Sequence, residues 1–158
     1  MDDAAKKTAL RMISYGLYVV TTKQGAEYSA ATINWLTQAS FQPPLVALGM
    51  KADSTTRAHM RSGSAFAVNV LASGQKDMAF AFFKPTQVEG NKLSGYEFEP
   101  GPSGQPLLLE APAWFECRVA DIIERGDHHV VIAEVTDAGV RRESAPLTLT
   151  EVGVFYGG

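Results

Sequence analysis

The chain has 158 residues, 46% hydrophobic and 20% charged, with a formal net charge of -3 at pH 7; this suits one soluble domain over residues 1–158 and argues against disorder. No Lys/Arg run exceeds the pairs Lys6-Lys7 and Arg141-Arg142, so nothing electrostatic favours nucleic acid or an anionic membrane. The single cysteine, Cys117, excludes an internal disulfide framework and a multi-cysteine zinc site. No apolar run reaches the ~18 residues of a membrane span, and the N-terminal segment lacks the apolar region of a signal peptide, so a reducing, cytoplasmic location is expected.

Asp3 through Ser14 reads as a short helix with an Asp cap and Ala9, Leu10 and Ile13 at helical spacing. Gly16 to Thr22 is a β-branched and aromatic strand, Gln24-Gly25 a turn, and Tyr28 to Ile33 the return strand. Hydroxyl and amide side chains then collect at Thr32, Asn34, Thr37, Gln38 and Ser40, which reads as a polar turn where a plain hairpin needs only an Asn-Gly pair. Pro43-Pro44 fix the entry to a buried-type strand, Leu45 to Met50. Ser54 to Arg61 is a helix, with Ser54 as N-cap and Gly63 as its stop. Ala65 to Leu71 is a strand and Gln75 to Phe83 a short helix.

Residues 84–112 carry Pro85, Pro100, Pro102, Pro106 and Pro112 and read as a long irregular excursion. With Phe80, Phe82 and Phe83 just before it, this is more apolar cover than one small barrel needs, which predicts a homodimer. Trp114 to Glu124, His129 to Asp137 and Leu147 to Phe155 return to strands, the first two joined by a tight turn at Arg125-Gly126-Asp127. No regular crossover helices separate the strands and no Gly-x-Gly-x-x-Gly follows one. The fold class is therefore mainly β, an antiparallel barrel with a few short peripheral helices.

Ser54, Thr55 and Thr56 open a helix between Lys51 and Arg57. Alone they are as readily a capped surface helix as a phosphate cradle; Thr32 and Asn34 on the neighbouring hairpin favour a ligand. Trp35 is either a core or interface aromatic or a ligand border. Asn69 interrupts an apolar strand, so its amide either bonds backbone locally or reads a ligand edge. His128 and His129 are adjacent on a strand and point to opposite sides, and His59 is remote in sequence, so no metal site is expected. At a strand start beside a pocket, His128 has the position of a hydrogen-bond donor to a ligand. Cys117 shares a strand face with Phe115 and Val119, as a small core residue rather than a nucleophile. An apolar pocket with a phosphate cradle and no acid–base machinery suits redox work by a bound cofactor.

Tyr18-Val-Val-Thr-Thr22, Thr32-x-Asn34-Trp35, Gln38 to Gly49 with Pro43-Pro44, Ser54-x-Thr56, Phe66-Ala-Val-Asn69-Val-Leu71, Gly126-Asp127-His128 and Tyr156-Gly-Gly follow one another along nearly the whole chain. In that order and spacing they resemble the flavin reductase-like family, with its FMN-binding split-barrel fold. The resemblance implies a homodimer binding FMN, in some members FAD, which takes hydride from NADH or NADPH. The reduced flavin would go to a monooxygenase or another acceptor, bound in trans because no second domain is seen in the chain. By the family pattern Thr32 and Asn34 would contact the flavin, Trp35 and Gln38 border it, Ser54 and Thr56 hold the phosphate with Lys51 beside them, and catalytic His128 approach the nicotinamide. Asn34-Trp35 replaces the commoner Thr-x-Ser-Ser hairpin, as in relatives that look like electron-transfer modules of larger flavoproteins. Two other functions fit the residues: a flavin-bound electron carrier without efficient NAD(P)H use, and a non-catalytic split barrel for another planar ligand such as haem, with His59, His128 or His129 as axial ligand.

Overall fold

Val19, Val20 and Thr21, all β-branched, hold an extended backbone that neighbouring strands pair on both sides. The structure, a computed structural model, describes residues 1–158. In chain order it runs α1 (Asp3–Arg11), β1 (Tyr18–Gln24), β2 (Glu27–Ile33), β3 (Leu36–Ser40), β4 (Leu45–Lys51), α2 (Thr55–His59), β5 (Ala65–Val70) and α3 (Lys76–Ala81). There follow β6 (Val88–Glu89), β7 (Lys92–Leu93), β8 (Tyr96–Pro100), β9 (Pro106–Leu108), β10 (Ala113–Ile123), β11 (His128–Val140) and α4 (Leu149–Val152).

Seven strands form one antiparallel sheet in the order β2-β1-β5-β10-β11-β4-β3. Its two outermost strands, β2 and β3, are joined by Asn34 and Trp35 alone. A flat sheet cannot place its two edges one dipeptide apart, so the sheet curls until they meet. The antiparallel split barrel expected from the sequence is what the chain forms.

Alternation in the strands feeds two cores. Val20, Val46, Leu48, Met50, Phe66, Val68, Cys117, Val119 and Val131 fill the barrel. Val19, one residue before Val20 and so on the opposite face, joins Leu17, Leu71, Met78, Phe82, Leu93, Leu108 and Leu147 in a second cluster. Each such fully buried aliphatic or aromatic side chain contributes about 1.5–3 kcal/mol.

Three sequence expectations are corrected. The polar stretch after Trp35 is strand β3, not a turn; it is an edge strand with an exposed middle, so its Thr37 and Gln38 are simply solvated. Residues 84–112 are not irregular: β6 to β9 make a second, four-stranded sheet whose Leu93, Leu107 and Leu108 are buried. Leu147 to Phe155 is not a strand. Thr148 caps α4 through the Glu151 N–H, and Gly153 ends it at φ 74°, so local capping overrides the β-branched composition. Phe82 is also core, 2% exposed, which leaves only Phe80 and Phe83 of the three phenylalanines partly outside.

Candidate functional site

The edge strand β2 is flanked by α2 on one side and by the end of α3 on the other, and a long groove lies along it. Two adjoining cavities of about 430 and 540 Å³ share Ala31, Lys51, Ser54, Phe82 and Phe83, which makes the groove continuous. One end is polar, lined by Ser29, Thr55, Thr56 and Lys84. The other is lined by Thr32, Asn34, Gly49, His128 and Tyr156.

At the polar end Ser54 is the N-cap of α2. Its Oγ accepts from the Arg57 N–H at 3.1 Å and donates to the Lys51 carbonyl at 2.9 Å. That cap uses the third amide of the helix and leaves the Thr55 and Thr56 N–H groups without a partner inside the protein. Ser29 and Thr56 share one hydrogen bond, Oγ to Oγ1 at 2.7 Å; one hydroxyl proton is therefore left over. Lys51, paired with Asp53 at 3.3 Å and mostly exposed, supplies positive charge, and Lys84 faces the same end. Hydroxyls, free amides and two ammonium groups converging on one spot are the donor set of a phosphate oxyanion. Arg57 is turned away, held by His129, the Met60 carbonyl and Glu124 at 2.9–3.0 Å.

At the other end the curl of the sheet sets Trp35 over Gly49, where an added Cβ would stand 3.0 Å from the indole. Trp35 packs on the His128 imidazole at 4.6 Å and on the Tyr156 ring at 5.3 Å. His128 Nδ1 lies 2.9 Å from Asp127 and Nε2 lies 2.7 Å from the Tyr156 hydroxyl. The hydrogen bond from His128 holds the Asp127 carboxyl below the usual carboxylate range. Asp127 is thus an acceptor only, and the proton between the two sits on Nδ1. Asn34, 5% exposed, donates to the Tyr156 carbonyl at 3.1 Å. Aromatic and amide surfaces along a slot suit a planar ring system with polar edges.

Of the residues singled out from the sequence, the groove brings together Thr32, Asn34, Lys51, Ser54, Thr56 and His128, with Trp35 behind His128. The Thr32 hydroxyl is committed to the Ala79 carbonyl at 2.6 Å, so it anchors α3 to β2. Gln38 stands apart on exposed β3. Asn69 is fully buried elsewhere: Nδ2 donates to the Val19 carbonyl and the Thr21 hydroxyl, and Oδ1 accepts from the Leu108 N–H. For haem, His59 has both ring nitrogens engaged, by Thr22 and Glu27, as does His128, and His129 Nδ1 accepts from Arg57. The sequence reading missed Tyr156, Ser29, Phe83 and Lys84 as groove residues. Ser29 carries a legible signal, a hydroxyl on a buried strand position; Tyr156 stands in the Tyr156-Gly-Gly motif without a role, because the fold alone brings it to His128.

A family model, the flavin reductase like domain, matches residues 10–157. The chain belongs to the flavin reductase-like family. Within that family it is similar to diflavin flavoprotein A 1 of Synechocystis sp., at 30% identity over 157 residues. That match takes in 98% of this chain and 27% of the relative, so the chain spans about a quarter of the length of such relatives. The solved styrene monooxygenase flavin reductase of Pseudomonas putida S12 is 26% identical with a TM-score of 0.74, covering 94% of this chain and 93% of that one. The Streptomyces globisporus C-1027 NADH:FAD oxidoreductase, solved in complex with NAD and FAD fragments, is 29% identical with a TM-score of 0.71, over 86% of this chain and 79% of that one. The groove along β2 carries a phosphate-type donor set at one end and an aromatic, amide-edged slot at the other.

Proposed function

We propose that this chain is an NAD(P)H:flavin oxidoreductase, one domain over residues 1–158, that binds FMN or FAD in the groove along β2. What supports this most is the single groove that joins the hydroxyl and lysine end to the Trp35–His128–Tyr156 end. When bound, the flavin supplies the redox chemistry. The protein's share is placement: Ser29, Thr55, Thr56, Lys51 and Lys84 hold the phosphate, Asn34 presents an amide to the ring edge, and Phe82, Phe83 and Leu149 keep water from the slot. His128, its Nδ1 proton fixed by Asp127, orients the nicotinamide rather than removing a proton, since hydride transfer leaves none to abstract. NADH and NADPH are both admitted as donors. The electrons would pass to free flavin, a monooxygenase or another acceptor in trans, as the name of the styrene monooxygenase reductase suggests for that relative. A cytoplasmic homodimer, with Phe80 and Phe83 at the subunit contact, completes the proposal; light scattering at micromolar concentration should give twice the chain mass.

A second reading, an electron-transfer module that uses NAD(P)H poorly, is favoured by one observation: the diflavin flavoproteins match this chain over about a quarter of their own length. Anaerobic mixing of flavin-loaded protein with NADH or NADPH separates the two, because only the reductase bleaches the flavin on the timescale of turnover. The phosphate end has its own test. Replacing Ser29 and Thr56 together by Ala removes the one hydroxyl proton left for the phosphate and should weaken FMN by about 1.5–3 kcal/mol and barely affect riboflavin. Equal weakening of the two by titration would reject the assignment.

A further inference from the structure

Beyond α4 the segment Val154 to Gly158 makes no backbone–backbone hydrogen bond. It lies across the ring end of the groove on side-chain ties alone. Asn34 donates to the Tyr156 carbonyl at 3.1 Å, Arg11 donates to the Gly157 carbonyl at 3.2 Å, and the Arg11 guanidinium sits 5.2 Å over the Phe155 ring. Arg11 belongs to α1, which buries no residue of its own. The fourth tie is the Tyr156 hydroxyl on His128 Nε2 at 2.7 Å. With the ring proton held at Nδ1 by Asp127, Nε2 offers only a lone pair, so the Tyr156 O–H is the donor there.

We propose that Tyr156 is a displaceable latch that occupies, on His128 Nε2, the hydrogen-bond position taken by the carboxamide N–H of the incoming nicotinamide. The inference rests on the reductase reading above. Its physical content is an exchange. A ligand carrying an N–H at that point replaces the Tyr156 hydroxyl bond for bond, whereas one carrying only a carbonyl leaves the Nε2 lone pair without a donor. Tyr156 thus sets how tightly the hydride donor binds, while the His128 Nε2 lone pair that it covers sets which chemical class of donor is accepted. The segment is able to yield because no backbone ladder fixes it.

The test uses the full chain loaded with FMN, as wild type, Tyr156→Phe and Arg11→Ala. Tyr156→Phe removes the competing hydroxyl and keeps the ring on Trp35; in anaerobic stopped flow it should lower the half-saturating NADH concentration about two- to twelvefold, the worth of one neutral hydrogen bond. Arg11→Ala, which touches neither His128 nor the groove, should move it the same way by loosening the segment. The reduced 3-acetylpyridine analogue, whose methyl ketone has no N–H, should improve by the same factor in Tyr156→Phe and remain the weaker ligand in both proteins. In flavin-free protein the ring ¹⁵N resonances of His128 should report the latch directly, Tyr156→Phe shifting Nε2 and leaving Nδ1 in place. An unchanged or raised half-saturation in Tyr156→Phe, or an analogue as tight as NADH in wild type, would overturn the latch. If no protein is reduced by either nicotinamide, the reductase reading fails instead, and the ¹⁵N result still decides whether Tyr156 holds His128.

Discussion

Asn69 engages its whole amide inside the protein, between β1, β5 and β9, with donors and acceptor all within 3.1 Å. Asn69→Leu would leave the Leu108 N–H buried without an acceptor, a loss of about 1–3 kcal/mol. Urea unfolding should show that loss while FMN affinity is retained; retained stability with collapsed affinity would return Asn69 to the groove. Asn34, by contrast, sits at the rim of the ring end, and nothing in the flanking residues alone distinguishes the two. Sequence shows that a buried amide needs partners, not whether the partner is a strand or a ligand. Cys117 was legible, because its alternation with Phe115 and Val119 already placed it inward. Burial, aided by the charge of Glu116, pushes its thiol up to about 12. Native protein should therefore resist thiol reagents at pH 8 and react fully in urea. The linkage sign follows: above the ordinary thiol range the unfolded chain loses this proton and the folded one keeps it. Stability should fall as pH rises from about 9 toward 12, seen as a lowered urea midpoint.

At the level of elements, α2 is five residues long and too short to persist alone. Its position is fixed by the Ser54 cap and by Arg57, whose guanidinium ties it to His129 on β11 and to Glu124 in the loop before it. Arg57→Met keeps the packing of the stem and deletes these ties. Since Glu124 is mostly exposed, solvent screening keeps the expected loss to about 1–2 kcal/mol. FMN should weaken along with stability, because the free amides of Thr55 and Thr56 move with the helix, and riboflavin should weaken less. Strands with two buried faces or clean alternation, such as β1, β4, β5 and β10, were legible because burial and period agree there. Strand β3 was not, since an exposed edge strand and a polar loop have the same composition. Nor was α4, where a Thr cap and a left-handed Gly outweigh the strand propensity of Val152 and Val154. The small sheet of β6 to β9 was hidden by its prolines, which at Pro100 and Pro106 sit at the end of one strand and the start of the next.

On the scale of the whole molecule, the groove is assembled from residues spread from Leu17 to Tyr156, so none of its chemistry survives in a fragment. The sheet order that curls β2 round to β3 also pairs Lys51 with His128, Leu45 with Glu134 and Ala65 with Arg118. Of the six pairings in the seven-stranded sheet, β1–β2, β3–β4 and β10–β11 join sequence neighbours and the other three do not. Long chain loops must therefore close before half of the pairings in that sheet can form, and this slows barrel formation. Refolding from urea is expected on the millisecond-to-second scale of barrels rich in non-local contacts. Because His128 meets Lys51 only through the β4–β11 pairing, a flavin has nothing to grip on the unfolded chain. Quenching of FMN fluorescence should lag or coincide with recovery of the far-UV strand signal in stopped flow, and never precede it. Excess FMN should then leave the folding rate constant unchanged and slow unfolding alone.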